Sequence, residues 1–379
     1  MRAVVWHGRE DVRVDTVDDA RIQEPTDALV RVTSTAICGS DLHLYAKLWA
    51  ALKEGDIIGH EAMGVVEEVG AEVTAISPGD RVVVPFNIAC GACFMCEHGL
   101  MSQCETTQNR EFGKGASLFG YTHLYGGVAG GQAEYLRVPH ADGGPVKVEE
   151  GPPDDRFLFL SDVLPTAWQA VAYAEVQAGD TVAVWGLGPI GQMCTRIAPH
   201  FGAARVIGVD QVPERLAMAQ RHGVETVDFA AVDSASDVVR ELTDGRGPDR
   251  VIDAVGMEAA GSRAESVLTT LKVHVDKHHA LRECFRAVRR GGTVSLIGVY
   301  AGPMNLFNLG QLFDEQVTIR MGQANVRRWA ADILPLLNDK DPLGVHDLAT
   351  HRVPIEDAPR MYELFQAKRD GCIKVVLEP

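Results

Sequence analysis

Four cysteines fall within fifteen residues: Cys90, Cys93, Cys96 and Cys104, spaced C-x2-C-x2-C-x7-C. Four thiolates so close in sequence can wrap one tetrahedral Zn²⁺ without help from the rest of the chain. They define a lobe at about residues 88–106 that is organised around a metal rather than around a regular element. All four positions of the metal are filled by protein, so no substrate can reach it. Its binding energy is therefore folding energy.

The surrounding chain is long enough for two cores. It has 379 residues, 46% apolar and 23% charged, in the range of a globular protein with more than one domain. The net charge of −16 excludes nucleic acid and an anionic membrane as expected partners. The start, with charged Arg2, Arg9, Glu10 and Asp11, lacks the apolar core of a signal peptide. No run approaches the roughly 18 apolar residues of a membrane helix. A cytoplasmic, reducing location is expected, where eight cysteines mean metal sites or free thiols. Cys194, Cys284 and Cys372 lie in apolar stretches and read as packing residues.

The texture of the chain changes near Val163. Before it, short strands alternate with turns: Ala3–Trp6, Ala28–Ser34, Gly64–Val69, Arg81–Val84 and Ala133–Val138. After Asp180 the order is strand, helix, strand, helix: Thr181–Trp185, Ile190–Phe201, Val206–Asp210, Pro213–His222. Strands at Arg250–Ala254 and Thr293–Ile297 follow, with a helix at Ala280–Val288 between them. That alternation predicts a parallel sheet covered by helices. Beyond about Met321 a helix at Pro359–Lys368 and a strand at Ile373–Leu377 fit either domain by pattern alone.

Between the strand Thr181–Trp185 and its helix lies Gly186-Leu187-Gly188-Pro189-Ile190-Gly191, a G-x-G-x-x-G loop. The first glycine permits the turn, the second lets a pyrophosphate approach the backbone, and the third lets helix pack on strand. The helix N-terminus presents free N–H groups to the phosphates. Asp210 ends the next strand, 19 residues beyond Gly191. Its carboxylate can accept both ribose hydroxyls of NAD and would repel a 2′-phosphate. Arg215 flanks the same place. Upstream, Cys38 in CGSDLH (38–43) and His60-Glu61 in GHE (59–61) supply one soft ligand, one borderline ligand and a carboxylate. Three protein ligands and one open position make a catalytic zinc pattern.

With these motifs the chain resembles the zinc-containing medium-chain alcohol dehydrogenase family. The resemblance implies an α/β protein: a GroES-like β-rich catalytic domain, 1–163 with 322–379, and a Rossmann domain with a doubly wound parallel sheet, 164–321. It implies two zinc ions per chain, one catalytic and one structural, and NAD. It places the third ligand of the reactive zinc at Asp162, in LSDVLPTAW (160–168). Many members carry cysteine there. Aspartate, together with GGQAEYLRVPHAD (130–142), looks like the glutathione-independent formaldehyde dehydrogenase and dismutase branch. A carboxylate donates less electron density than a thiolate and leaves a stronger Lewis acid.

The resemblance also assigns roles. Zinc lowers the pKa of the alcohol, Ser40 takes the proton, and the proton passes through the cofactor ribose to His43. Asp41 fixes the tautomer of His60, and Glu61 approaches the metal from behind. Val255, Val299 and Tyr300 line the nicotinamide end, and Lys374 lies near the pyrophosphate. Trp49 and Phe86 are candidate pocket walls, with core packing the alternative for each. The stretch between Gly256 and Ala280 either grips the adenine or is a solvated helix pair. The expected reaction moves a hydride between a small alcohol or hydrated aldehyde and NAD. The alternatives are a dismutase with tightly held NAD and a non-catalytic zinc- and nucleotide-binding protein. Quinone reductases lack both zinc sites. A homodimer or homotetramer is expected, paired through segment 304–320, which ends in the apolar strand Val317–Met321.

Overall fold

The computed structural model describes residues 1–47, 51–256, 279–300 and 308–379. Trp49, the stretch 257–278 and residues 304–307 of the expected pairing segment lie outside them. Contacts divide the chain into two compact units, Met1–Pro165 with Ala324–Pro379, and Thr166–Gln323.

In the first unit, Arg2–Gly8 and Asp11–Thr16 form an antiparallel hairpin. A seven-stranded sheet follows. Its order is His351–Pro354, Val375–Glu378, Ala28–Ile37, Glu61–Val69, Arg81–Val84 and Val146–Lys147, with Tyr135–Val138 also paired to Ala28–Ile37. All these pairings are antiparallel except that of His351–Pro354 with Val375–Glu378. The register decides the chemistry. Ala36 faces Glu61 and Ile37 faces Val375. Cys38, just after one strand, thus meets His60, just before the next, and Lys374 arrives at the same sheet end.

In the second unit six strands are all parallel. Their order is Glu225–Asp228, Arg205–Asp210, Thr181–Trp185, Arg250–Asp253, Thr293–Leu296 and Thr318–Met321. Counted along the chain this is 3-2-1-4-5-6, the doubly wound Rossmann arrangement, whose ligand crevice lies where the order reverses. Every residue of Thr181–Trp185, Arg250–Asp253 and Thr293–Leu296 is buried, as a sheet covered on both faces requires. Thr318–Met321 is one of the two edge strands, and Met321 is exposed.

Some elements differ from the sequence expectation. The strand expected from Gly64 begins at Glu61, and that expected from Ala133 begins at Tyr135. The helix Val163–Tyr173 carries no amphipathic stripe because VLPTAWQAVAY is apolar on almost every side. Only Ala172 in it escapes full burial, so a 3.6-residue period had nothing to mark.

Candidate metal centres and cofactor loop

Cys38, His60, Glu61 and Asp162 each offer one ligand atom, and these atoms all lie within 4.8 Å of one another. All four residues are buried. The β-sheet register brings the first three together. Asp162 comes from the turn after Leu158–Ser161, which the Phe86 N–H holds by donating to Ser161 O at 3.1 Å. Cys38 Sγ lies 3.3 Å and His60 Nε2 3.4 Å from Asp162 Oδ2.

The helix Gly39–Ala46 organises the group from one side. Asp41, fully buried, accepts the Cys38 N–H through Oδ2 at 2.9 Å. Its Oδ1 lies 3.0 Å from His60 Nδ1, so Nε2 is the nitrogen turned to the cluster. Gln132 donates to the same Oδ2 at 3.2 Å, and the Tyr362 hydroxyl donates to Gln132 at 2.9 Å. Ser40 Oγ stands 3.2 Å from His60 Nε2. His43, buried, follows three residues later on the same helix, which puts it on the neighbouring turn of one face. Phe86 and Tyr121 meet the His60 ring edge-on, with centroids 6.1 and 6.3 Å away.

The electrostatics are those of donors that need a cation. Burial pushes the Cys38 thiol up to about 11, and the Asp162 and Glu61 carboxylates add to the shift. Burial alone would lower His60, but Asp41, Cys38 and Asp162 together hold it well above the usual histidine range. Burial raises Glu61 too, against the pull of Lys374. Its Oε2 is buried with no hydrogen-bond partner among the described residues. A soft sulfur, an imidazole and two carboxylates packed this tightly suit a divalent ion, and Zn²⁺ best. Zinc uptake by metal-free protein is therefore expected to tighten as pH rises, because ligation requires the Cys38 proton to leave. Below the thiol pKa the gain should approach about tenfold per pH unit per proton released. Competition with a chromogenic chelator between about pH 6 and 8 measures it; an affinity flat in pH would exclude a thiol ligand.

Lys374, expected near a pyrophosphate, is fully buried in the first unit. Its ammonium donates to Ile37 O at 3.1 Å and pairs with Glu61 Oε1. In this conformation its charge is spent inside the core, directly behind the donor group. The strand pairing of Val375 with Ile37 puts it there.

The second cluster is Cys90, Cys93, Cys96 and Cys104, whose sulfurs also lie within 4.8 Å of one another. Backbone N–H groups point at them: Cys90 donates to Cys104 Sγ and Glu105 to Cys93 Sγ, each at 3.3 Å. Burial opposes ionisation of Cys93, but the N–H groups of Cys96 and Glu105 and neighbouring thiols bring it down to about 6. Burial and Cys93 push Cys96 upward. Four thiols this close cannot all ionise until a cation shares their charge.

In the second unit the glycine loop leads into the helix Pro189–His200, with Gly188 at its N-cap and Pro189 in its first turn. Gly186 has φ +85°, where a side chain would be strained. A Cβ on Gly191 would sit 1.8 Å from Gly186 O. A Cβ on Gly188 would meet nothing nearer than Arg215 at 3.7 Å, so that side of the loop is open enough for a phosphate to approach. Ile190 continues the first helical turn. Asp210 accepts the N–H groups of Leu187, Gln211 and Val212 at 2.7 to 2.9 Å, and Arg215 Nη1 is 3.7 Å from it. Val255 follows the neighbouring strand, its N–H donating to Asp253 at 2.9 Å. Val255 Cγ2 would lie 2.8 Å from a Cβ on Gly186, so it borders the loop. The Val299 backbone packs on Gly256, and Tyr300 donates its hydroxyl to Asp253. The structure thus gathers Gly186, Gly188, Pro189, Ile190, Gly191, Asp210, Arg215, Val255 and Val299 at the strand ends where a dinucleotide is expected.

Three residues at the metal group escaped the sequence reading. Tyr121 sits in a loop with no motif of its own. Gln132 and Tyr362 support Asp41 from positions separated by 230 residues. Only the GGQAEYL stretch carried a signal for Gln132.

Comparison with known proteins agrees with this geometry. The alcohol dehydrogenase GroES-like domain matches residues 24–148, and the zinc-binding dehydrogenase domain matches 189–273. An uncharacterised zinc-type alcohol dehydrogenase-like protein of Bacillus subtilis is 43% identical over the whole of both chains. Formaldehyde dismutase of Pseudomonas putida is 32% identical, covering 100% of this chain and 97% of its own. The solved alcohol dehydrogenase from Thermus sp. ATN1 superposes with a TM-score of 0.85 at 36% identity, over 100% of this chain and 99% of that one. With a catalytic-type donor group, a four-cysteine lobe and a dinucleotide loop on one chain, the protein belongs to the zinc-type alcohol dehydrogenase family.

Proposed function

We propose that the protein is a zinc- and NAD-dependent dehydrogenase that interconverts a small alcohol and its aldehyde, or oxidises a hydrated aldehyde. The observation that carries this is the buried group of Cys38, His60, Glu61 and Asp162. Zinc held there would polarise the substrate oxygen and lower its pKa, and NAD would accept the hydride leaving the carbon. Cys38, His60 and Asp162 hold the metal, and Glu61, tied to Lys374, stands as a reserve ligand. Asp41 keeps the His60 Nδ1 proton, so that Nε2 keeps its lone pair for the metal. Ser40 receives the substrate proton, and His43 exchanges it with solvent. Phe86 and Tyr121 keep water from the group. The four cysteines hold a second, structural zinc. Eight cysteines, none of them in a disulfide, fit a reducing, cytoplasmic location.

Asp210 supports NAD over NADP, since a 2′-phosphate beside its carboxylate would be repelled. Asp210→Ser is expected to weaken NAD by about tenfold and to narrow its preference over NADP by more. KM values for both cofactors measure it, and an unchanged ratio would remove Asp210 from the ribose site. The activity itself is tested by following NADH absorbance with a panel of alcohols and aldehydes. A second reading, favoured by the Asp162 ligand and by similarity to formaldehyde dismutase, is aldehyde dismutation on retained NAD. Turnover of aldehyde without added NAD⁺ would support it.

A further inference from the structure

We propose that Asn325 is a positioning residue that couples the four-cysteine lobe to the Cys38, His60 and Asp162 group; this rests on reading both clusters as metal sites. Asn325 is a carboxamide only 2% exposed. Its Oδ1 accepts the Ser102 N–H at 3.0 Å. Ser102, itself buried, lies in the turn Met101–Gln103, two residues before Cys104. Its carbonyl accepts the Ala116 N–H at 2.9 Å, so both backbone polar groups of Ser102 are held. Without Asn325 the Ser102 N–H would be buried and unpaired. The residue therefore fixes where the last lobe ligand begins. Arg328, one turn further on, lies against Gly99 of the same lobe.

The neighbours of Asn325 reach the other way. Ala324 O accepts from the buried Asn87 carboxamide at 2.9 Å. Ala324 and Val326 form one apolar cluster with Phe86 and Leu118, with Tyr121 and Tyr125 packed on it. Phe86 and Tyr121 are the two rings set edge-on to His60. The Phe86 N–H holds Ser161, the residue before Asp162. Three consecutive residues thus touch the lobe on one side and the walls of the second donor group on the other. Close-packed groups transmit displacement rather than absorb it. A slackened lobe should shift Phe86, and with it His60 and Asp162.

A double-mutant cycle tests this. Asn325→Ala, Cys93→Ser (a lobe lesion) and their combination are compared with the native chain by chelator competition for the zinc at the Cys38/His60 group. Each single change is expected to weaken zinc there by about tenfold, and the pair by little more than either alone. Two results would overturn the coupling: Asn325→Ala leaving that affinity unchanged, or the lobe lesion having the same effect with and without Asn325. If Cys93→Ser fails to fold, Asn325→Ala alone decides through the rate of zinc loss from the group. A merely structural asparagine would speed loss from the lobe only. A Cys38→Ala control that binds zinc as the native chain does would sink the metal reading itself, which is a separate failure.

Discussion

Replacing Cys38 with alanine is expected to lower turnover by about a thousandfold or more while leaving NAD affinity in place. The size follows from what a Lewis acid contributes, several kcal/mol, at roughly 1.4 kcal/mol per tenfold in rate. The selectivity follows from location. Cys38 and the glycine loop belong to different compact units. Cys38 is buried among His60, Glu61 and Asp162, and its loss leaves two carboxylates and an imidazole that still attract a cation but hold it less firmly. Steady-state rates together with NADH fluorescence titration check both halves. A variant that keeps its rate would remove Cys38 from the chemistry, and one that loses NAD binding as well would have misfolded.

Cys104→Ser is expected to act on stability first. Cys104 is fully buried, and its sulfur accepts the Cys90 N–H. A structural zinc contributes on the order of 10 kcal/mol in small zinc-binding peptides. Losing even a fraction of that is a large share of the 5–15 kcal/mol typical of a domain. A fall in melting temperature of about 10 °C or more is expected, since 1 kcal/mol moves a domain of this size by roughly 2–4 °C. Limited proteolysis should then cut near residues 88–106 first, because that stretch has few regular elements to hold it. Unfolding of the two units need not be one transition, so both should be followed. A variant with unchanged melting and unchanged cleavage would mean that the four thiols carry no metal.

Much of this was legible in the residues. The four cysteines, CGSDLH, GHE and the glycine loop are short motifs whose chemistry is local, and each stands where its spacing implied. Short runs rich in valine between turn signals, such as Arg81–Val84 and Thr181–Trp185, were equally clear. Long-range pairing was not. Lys374 lies 313 residues from Glu61, and only the register of Val375 on Ile37 reveals that its ammonium is sealed in the core. Asn325 has no motif, and its role depends on Ser102, 223 residues away. The helix Val163–Tyr173 was hidden for a different reason, because burial on nearly all sides erases helical periodicity. Asp162 is the intermediate case: by its residues alone the position reads more readily as a helix N-cap, and family resemblance set it among the ligands.

The most direct measurement is the metal content of purified protein, native and His60→Ala, beside the rate of each. Two zinc ions per native chain are predicted, falling to one in the variant with turnover lost and the lobe intact. Equal zinc in both proteins, or full activity in a chain lacking that second ion, would contradict the account.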